Sequence, residues 1–189
     1  MKKIIFLFCA FTICATIYAQ TAASNLPAID KSPMDMAYYP NNYPVLKIQD
    51  KASEPVIARV IYSRPQKNNR TVFGELIEYN TVWRMGANEA TEITFAKDAT
   101  FGGQAVKAGT YTLFTIPNEN EWEVILNPEL KQWGSYGYDK IKDKDLPHVK
   151  VPAKKLDQPV EKLTLRFDSQ NALVIEWDQT QVTVPITAS

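Results

Sequence analysis

The sequence predicts an all-β protein: a single antiparallel β-sandwich or jelly-roll-like domain carrying at most one or two short helical turns. Three observations lead there. Apolar residues recur with period two in several short runs, as in Leu163, Leu165, Phe167 and in Val182, Val184, Ile186. Clusters of Gly, Asn, Asp, Ser and Pro separate these runs at the roughly 8 to 12-residue spacing of sandwiches and barrels. The two stretches with helical character, Phe73–Tyr79 and a turn near Pro128–Lys131, are too short to stand alone.

Residues 1–19 read as a secretory signal: Lys2 and Lys3 are basic, an apolar run extends from Ile4 to Ile17, and Ala19 is the small residue at the exit. The run is shorter than the roughly 18 to 20 apolar residues a membrane span needs, so no transmembrane segment is expected after cleavage. The expected destination is the periplasm or the exterior. Cys9 and Cys14 are the only cysteines, and neither follows a Leu-small-small lipobox. Cleavage after Ala19 removes both, which excludes disulfides, thiol nucleophiles and Cys-ligated zinc from the mature chain.

Residues 20–44 read as an irregular N-terminal arm, punctuated by Pro27, Pro33, Pro40 and Pro44 with Asn25, Asn41 and Asn42 between them. Residues 45–189 are the sandwich domain. In its first strand, Val56, Ala58, Val60 and Tyr62 alternate with Ile57, Arg59, Ile61 and Ser63, and bulk on both sides predicts burial on two faces. Strands are expected at 91–96, 104–107, 110–117, 122–127 and 172–178, with Gly102-Gly103 in a hairpin. Asn118–Glu121 and Asp168–Asn171 are the next turns. Leu163, Leu165 and Phe167 alternate with Lys162, Thr164 and Arg166. Val182, Val184 and Ile186 alternate with Thr183, Pro185 and Thr187. Each of these two strands has one wet face, and Pro185 marks an edge or a strand end.

The charge balance excludes a nucleic-acid partner. The chain has 21 basic and 21 acidic side chains, and loss of Lys2 and Lys3 leaves 19 against 21, no basic footprint for phosphates. There is no phosphate loop and no G-x-S-x-G elbow. His148 is the single histidine, so a His-rich metal site is impossible, and no EF-hand spacing occurs. No metal and no cofactor is expected.

Three stretches are not explained by strand periodicity: Tyr62-Ser63-Arg64-Pro65, Val82 to Thr91 and Trp133 to Asp139. They set aromatic rings beside guanidinium, amide and carboxylate groups. Such loops build sugar and peptide sites, the ring taking the apolar face of a ligand while Arg, Asn and Glu orient it. The candidate ligand-binding residues are Arg64, Trp83, Arg84, Asn88, Glu89, Trp133 and Tyr136. The competing reading is structural: Trp83 and Trp133 as core plugs, Arg84 paired with Glu89 or Glu92, Arg64 bridging two loops, and Asn88 holding a turn.

These stretches, with Phe73-Gly74, the run Ala108 to Pro117 and Trp133-Gly134-Ser135-Tyr136, closely resemble the DUF2911 family over roughly residues 33–187. The resemblance implies an exported bacterial protein of a kind common in Bacteroidetes, with no defined activity and so no catalytic residues to transfer. The reading favoured is a non-catalytic binding or scaffolding module of the cell envelope, its partner a saccharide, a peptide or an envelope protein. The alternative is a carboxylate-dependent hydrolase of a glycan or other envelope substrate. It needs two carboxylates about 5 to 10 Å apart, drawn from Glu89, Glu92 and Asp139, at least one with a raised pKa.

Overall fold

A strand satisfies its backbone N–H and C=O groups only by pairing with neighbours, so period-two sequences commit the chain to a sheet. The computed structural model describes residues 28–52 and 56–188. The signal-peptide reading of residues 1–19 lies outside them. The compact unit from Lys31 onward contains β1 (Met34–Tyr39), α1 (Tyr43–Ile48), β2 (Ala58–Ser63), β3 (Glu92–Phe95), β4 (Ala99–Phe101) and β5 (Gln104–Val106). After them come β6 (Gly109–Ile116), β7 (Glu121–Asn127), two 3₁₀ turns (Tyr138–Lys140 and Lys142–Lys144), β8 (Val149–Phe167) and β9 (Ala172–Ala188).

The strands form one nine-stranded antiparallel sheet in the order β1-β2-β3-β6-β7-β8-β9-β4-β5. The all-β class holds. The strands join into a single sheet that folds over on itself, and the length of β8 contributes to this. Its first residues pair with β7 and its last with β9, with register shifts between Lys155 and Thr164. Its second half also meets the chain leaving β2. Gln66 bridges Lys162, Leu163 N donates to Pro65 O at 3.0 Å, and Lys67 N donates to Glu161 O at 2.8 Å.

The folded-over sheet encloses one main core to which all nine strands contribute, from Tyr39 of β1 through Val60, Ile93, Leu113, Val124 and Leu165 to Val184 of β9. At its centre Phe73 packs edge-on against Trp122, with ring centroids 4.8 Å apart, and Trp83 stacks on Trp177 at 5.9 Å. Aromatic pairs in these arrangements add about 0.5–1.5 kcal/mol each beyond their buried area. A smaller cluster of Ala90, Phe114 and Ile125 lies on the opposite face of β6 and β7, with Val82, Tyr138 and Ile141 packed on it.

Several expectations are corrected. The arm over 20–44 is not wholly irregular, because Met34–Tyr39 is the edge strand β1. Pro33 and Pro40 flank that strand and do not interrupt it, which is where proline is tolerated. Strand β2 is not buried on both faces: Ala58, Val60 and Tyr62 point inward, Arg59 is exposed and Ile61 is half-buried. Phe73–Tyr79 is not helical but a turn-rich loop in which Phe73 bridges Ile77. The α-helix is instead α1, with Pro44 in its first turn. The strands read at 172–178 and 182–187 are one strand, and Pro185 sits between Val182, paired with Ala153 of β8, and Ile186, paired with Phe101 of β4.

The Gly102-Gly103 hairpin is as expected. Both residues have positive φ, +57° and +85°, the requirement of a tight turn between β4 and β5. A Cβ on Gly102 would also lie 2.0 Å from Val149 Cγ1. Gly102→Ala is therefore expected to destabilise the fold by about 1–3 kcal/mol. Urea denaturation of the two proteins side by side measures this.

Candidate functional site

Residues 82–84 continue the sheet where β3 ends. Trp83 and Thr115 exchange backbone hydrogen bonds of 2.7 and 2.9 Å, so this segment lies beside the far end of β6. Side chains of a strand-like segment alternate. Trp83 enters the main core at 3% exposure, while Val82 joins the cluster on the other face. Arg84 is thereby directed to the same side as Val82.

The turn that follows is pinned from within. Met85 and Asn88 have φ of +54° and +59°. Ser63 Oγ donates to Ala87 O at 2.8 Å and accepts from Ala87 N at 2.6 Å. Thr91 Oγ1 donates to Met85 O at 2.6 Å, and Trp83 Nε1 donates to Gly86 O at 3.2 Å. A Cβ on Gly86 would stand 2.7 Å from Ser63 Oγ, so the close approach requires glycine. The loop beyond is stitched to residues 130–134. Ala90 N donates to Gln132 O, Gly134 N donates to Asn88 O, Glu89 bridges Trp133, and Glu92 Oε1 accepts from Lys131 N. Bridged residues share a face, so Glu89 and Trp133 stand side by side.

The structure sorts the sequence candidates into two groups. Arg64 is spent inside the fold: it pairs with Asp35 at 2.9 Å and donates to Leu163 O and Thr164 Oγ1. It clamps β1 to the far half of β8, the bridging role weighed above. Trp83 has no face open to a ligand, because the three other aromatic rings of the central cluster surround it. Arg84, Asn88, Glu89, Trp133 and Tyr136 gather along the paired loops. Trp133 is 63% exposed and Tyr136 86% exposed, so neither is a core plug. Gly134, at φ +69°, lies beneath the Tyr136 ring, where a Cβ would come within 2.7 Å of it.

Arg84 is the anomaly in this group. No carboxylate among the described residues pairs with it, and its Nε is buried without a hydrogen-bond partner. Burial pulls its pKa down, opposed by the electrostatic proximity of Tyr136. Thr115 Oγ1 and Trp122 Nε1 are also buried without partners, but both belong to residues closed inside the core. Of the three, only Arg84 is part of a residue that reaches the surface.

A family model described as a protein of unknown function, DUF2911, matches residues 45–186. The chain belongs to the DUF2911 family. No curated protein and no solved structure matches it. The match in this DUF2911 chain begins within α1, so the edge strand β1 precedes it.

The carboxylates of the hydrolase alternative are differently placed. Asp139 is exposed and paired with Lys142 at 2.9 Å, which holds its carboxyl below the usual range. Glu89 and Glu92 line a shallow cleft of about 110 Å³ with Met34, Ile61, Ala90 and Lys131. Where carboxyl pKa values move among the described residues, at Asp98, Glu123 and Asp139, they move down, toward the ionised form. A general acid requires the opposite shift. No group of three or more His, Cys, Asp or Glu among the described residues is arranged to hold a metal.

One polar cluster was not visible in the sequence. His148 stands between Glu123 (Nδ1 to Oε2, 2.8 Å) and Asp145 (Nε2 to Oδ2, 3.3 Å). The Tyr138 hydroxyl donates to Asp145, and the buried Asn127 donates to it at 2.7 Å. Burial, then Asp145, pushes the Tyr138 pKa up. The contacts join β7, the 3₁₀ turns and the start of β8. Residues 18 and 25 positions apart carry no spacing signal that would have found them.

Two outcomes follow from this geometry. Trp83→Ala is expected to cost about 3–5 kcal/mol, as for other buried aromatics. Trp133→Ala should stay within about 0.5 kcal/mol of the parent, as an exposed side chain; thermal melts of both variants separate the roles. The Glu123 carboxyl is held below its ordinary value first by the His148 hydrogen bond, with Lys150 adding to it. A depressed folded pKa stabilises above the unfolded value, about 4.3, and that contribution disappears as pH falls through the folded value. Glu123→Gln should therefore be less stable than the parent at neutral pH, with the gap closing in acid. Denaturation across a pH series reads it directly.

Proposed function

We propose that this DUF2911 chain is an exported, non-catalytic binding module of the bacterial cell envelope, with a ligand of the saccharide or peptide class held at the paired loops 84–91 and 130–136. The single observation that carries the reading is Arg84: a half-buried guanidinium that no carboxylate among the described residues pairs, on a loop whose partner loop exposes Trp133 and Tyr136. A half-buried cation that the fold leaves unpaired is a cost to the free protein. Sites built for ligands accept such costs, because the partner arrives with the ligand. The loop around it is rigidly specified by Ser63, Thr91 and Gly86, so the guanidinium is presented on a fixed frame.

Export is supported by the basic-apolar-small pattern of residues 1–19 and by the removal of both cysteines with it. Among the described residues no helix is long and apolar enough to cross a membrane.

The reading is tested on the free protein. Arg84→Met keeps the aliphatic stem and removes the unpaired charge, so it should raise the apo melting temperature by about 2–4 °C, the shift about 1 kcal/mol produces in a domain of this size. A lower melting temperature would make Arg84 a structural residue and end the binding reading.

A further inference from the structure

We propose that the cleft beside the β8–β9 register shift binds a small zwitterion, an α-amino acid with a large apolar side chain. Lys155 receives its carboxylate, Glu119 its ammonium, and Phe73 and Tyr79 its side chain. This goes beyond the reading above and shares no residue with the paired loops. The cleft has a volume of about 220 Å³. That is below the roughly 300–1,000 Å³ of sites for drug-sized molecules, so its occupant is a small one. Its wall combines the rings of Phe73 and Tyr79 with charges of both signs, Lys154, Lys155, Glu119 and Asp178. Two features of the backbone build it. From Lys155 to Val160 β8 advances five residues while β9 advances two, from Thr180 to Asp178, and Asp178 has φ of +51°. Bulges re-aim side chains, and a non-glycine residue in the left-handed region is held there by its surroundings. Here the Asp178 carboxylate meets Lys67 Nζ at 3.2 Å and accepts from Val72 N at 3.2 Å. The β6–β7 turn that carries Glu119 is tied down as well. Ala153 N donates to Asn120 O at 2.9 Å, and Asn118 Nδ2 donates to Asn80 Oδ1 at 2.7 Å.

The charges of the cleft decide the class of ligand. Asp178 is already matched by Lys67 within the chain. Lys154, Lys155 and Glu119 are not. Among the described residues no carboxylate pairs with either lysine and no cation pairs with Glu119, although the three line one cleft. Opposite charges on one wall that do not neutralise each other match a ligand that carries both. Strand alternation places Lys155 on the same face of β8 as Val151 and Ala153, the face that packs on the core, so Lys155 is the partner of the carboxylate. A purely anionic ligand would be repelled by Glu119. A neutral saccharide would leave the charges of both signs without a counterpart. The half-buried Tyr79 and the edge of the Phe73 ring accept the apolar part of the ligand.

The test is calorimetric titration of the mature chain with three probes: phenylalanine, N-acetylphenylalanine, which lacks the ammonium, and phenylalaninamide, which lacks the carboxylate. It is run at about pH 6, where a free α-amino group is protonated. The expected result is saturable binding of phenylalanine at millimolar concentration or below, with each blocked form at least about tenfold weaker, the order of one charge-assisted hydrogen bond. Glu119→Gln should weaken phenylalanine and leave N-acetylphenylalanine unchanged. Lys155→Met should weaken phenylalanine and leave phenylalaninamide unchanged. Both side chains are exposed, so neither change removes a core contact. Absence of saturable phenylalanine binding, or equal binding of all three probes, overturns the proposal. So does phenylalanine binding that neither variant alters, because it would lie outside this cleft. Phenylalaninamide bound as tightly as phenylalanine would make the ligand a peptide N-terminus, and N-acetylphenylalanine bound as tightly would make it a peptide C-terminus; either result overturns the zwitterion.

Discussion

The insertion of the Trp83 indole between Trp177, Trp122 and Phe73 is the contact on which both the core and the candidate site depend. It joins a loop to β7 and β9, elements far apart in the chain, and so helps fold the single sheet over on itself. It also fixes the phase of its own segment. Because Thr115 and Trp83 exchange backbone bonds, a ring pointing into the core leaves Val82 and Arg84 no choice but the other face. The position of the unpaired guanidinium is therefore a consequence of core packing rather than of a flexible loop.

How much of this was legible in the sequence depends on what holds each element. Strands stabilised by burying one face announce themselves by alternation, and the stretch from Leu163 to Phe167 was read from that signal. The first part of β8 carries no such signal between Lys154 and Glu161, because almost all of it is wet. There the strand pairs with β9 at Lys154, Lys155 and Val160 across register shifts, and backbone pairing leaves no mark on composition. The edge strand β1 was obscured for a related reason: Pro33 and Pro40 read as irregularity when they are the strand's limits.

The loop residues were legible as a set but not as individuals. Arg64 and Arg84 both sit in polar-aromatic stretches of the sequence, and Trp83 and Trp133 each lie within three residues of a glycine. What separates the arginines is Asp35, which β1 carries to within 2.9 Å of Arg64, whereas no carboxylate among the described residues pairs with Arg84. What separates the tryptophans is strand phase, since Trp83 lies beside β6 with its ring inward, while Trp133 lies on an outer pairing with Glu89. Both distinctions are tertiary, and no local rule contains them.

The contrast between the two polar clusters shows why the second, and not the first, is the candidate site. Around His148 each carboxylate has a partner: Glu123 has His148 and Lys150, and Asp145 has Tyr138, Asn127 and His148. A network satisfied from within adds specificity to the fold and offers nothing unfilled to a ligand. Around Arg84 the order is reversed. The frame is satisfied, through Ser63, Thr91 and the paired backbones of 88–90 and 132–134, while the Arg84 charge meets no carboxylate among the described residues. The contacts there fix the frame, and the cation that no described carboxylate meets is where the binding proposal starts.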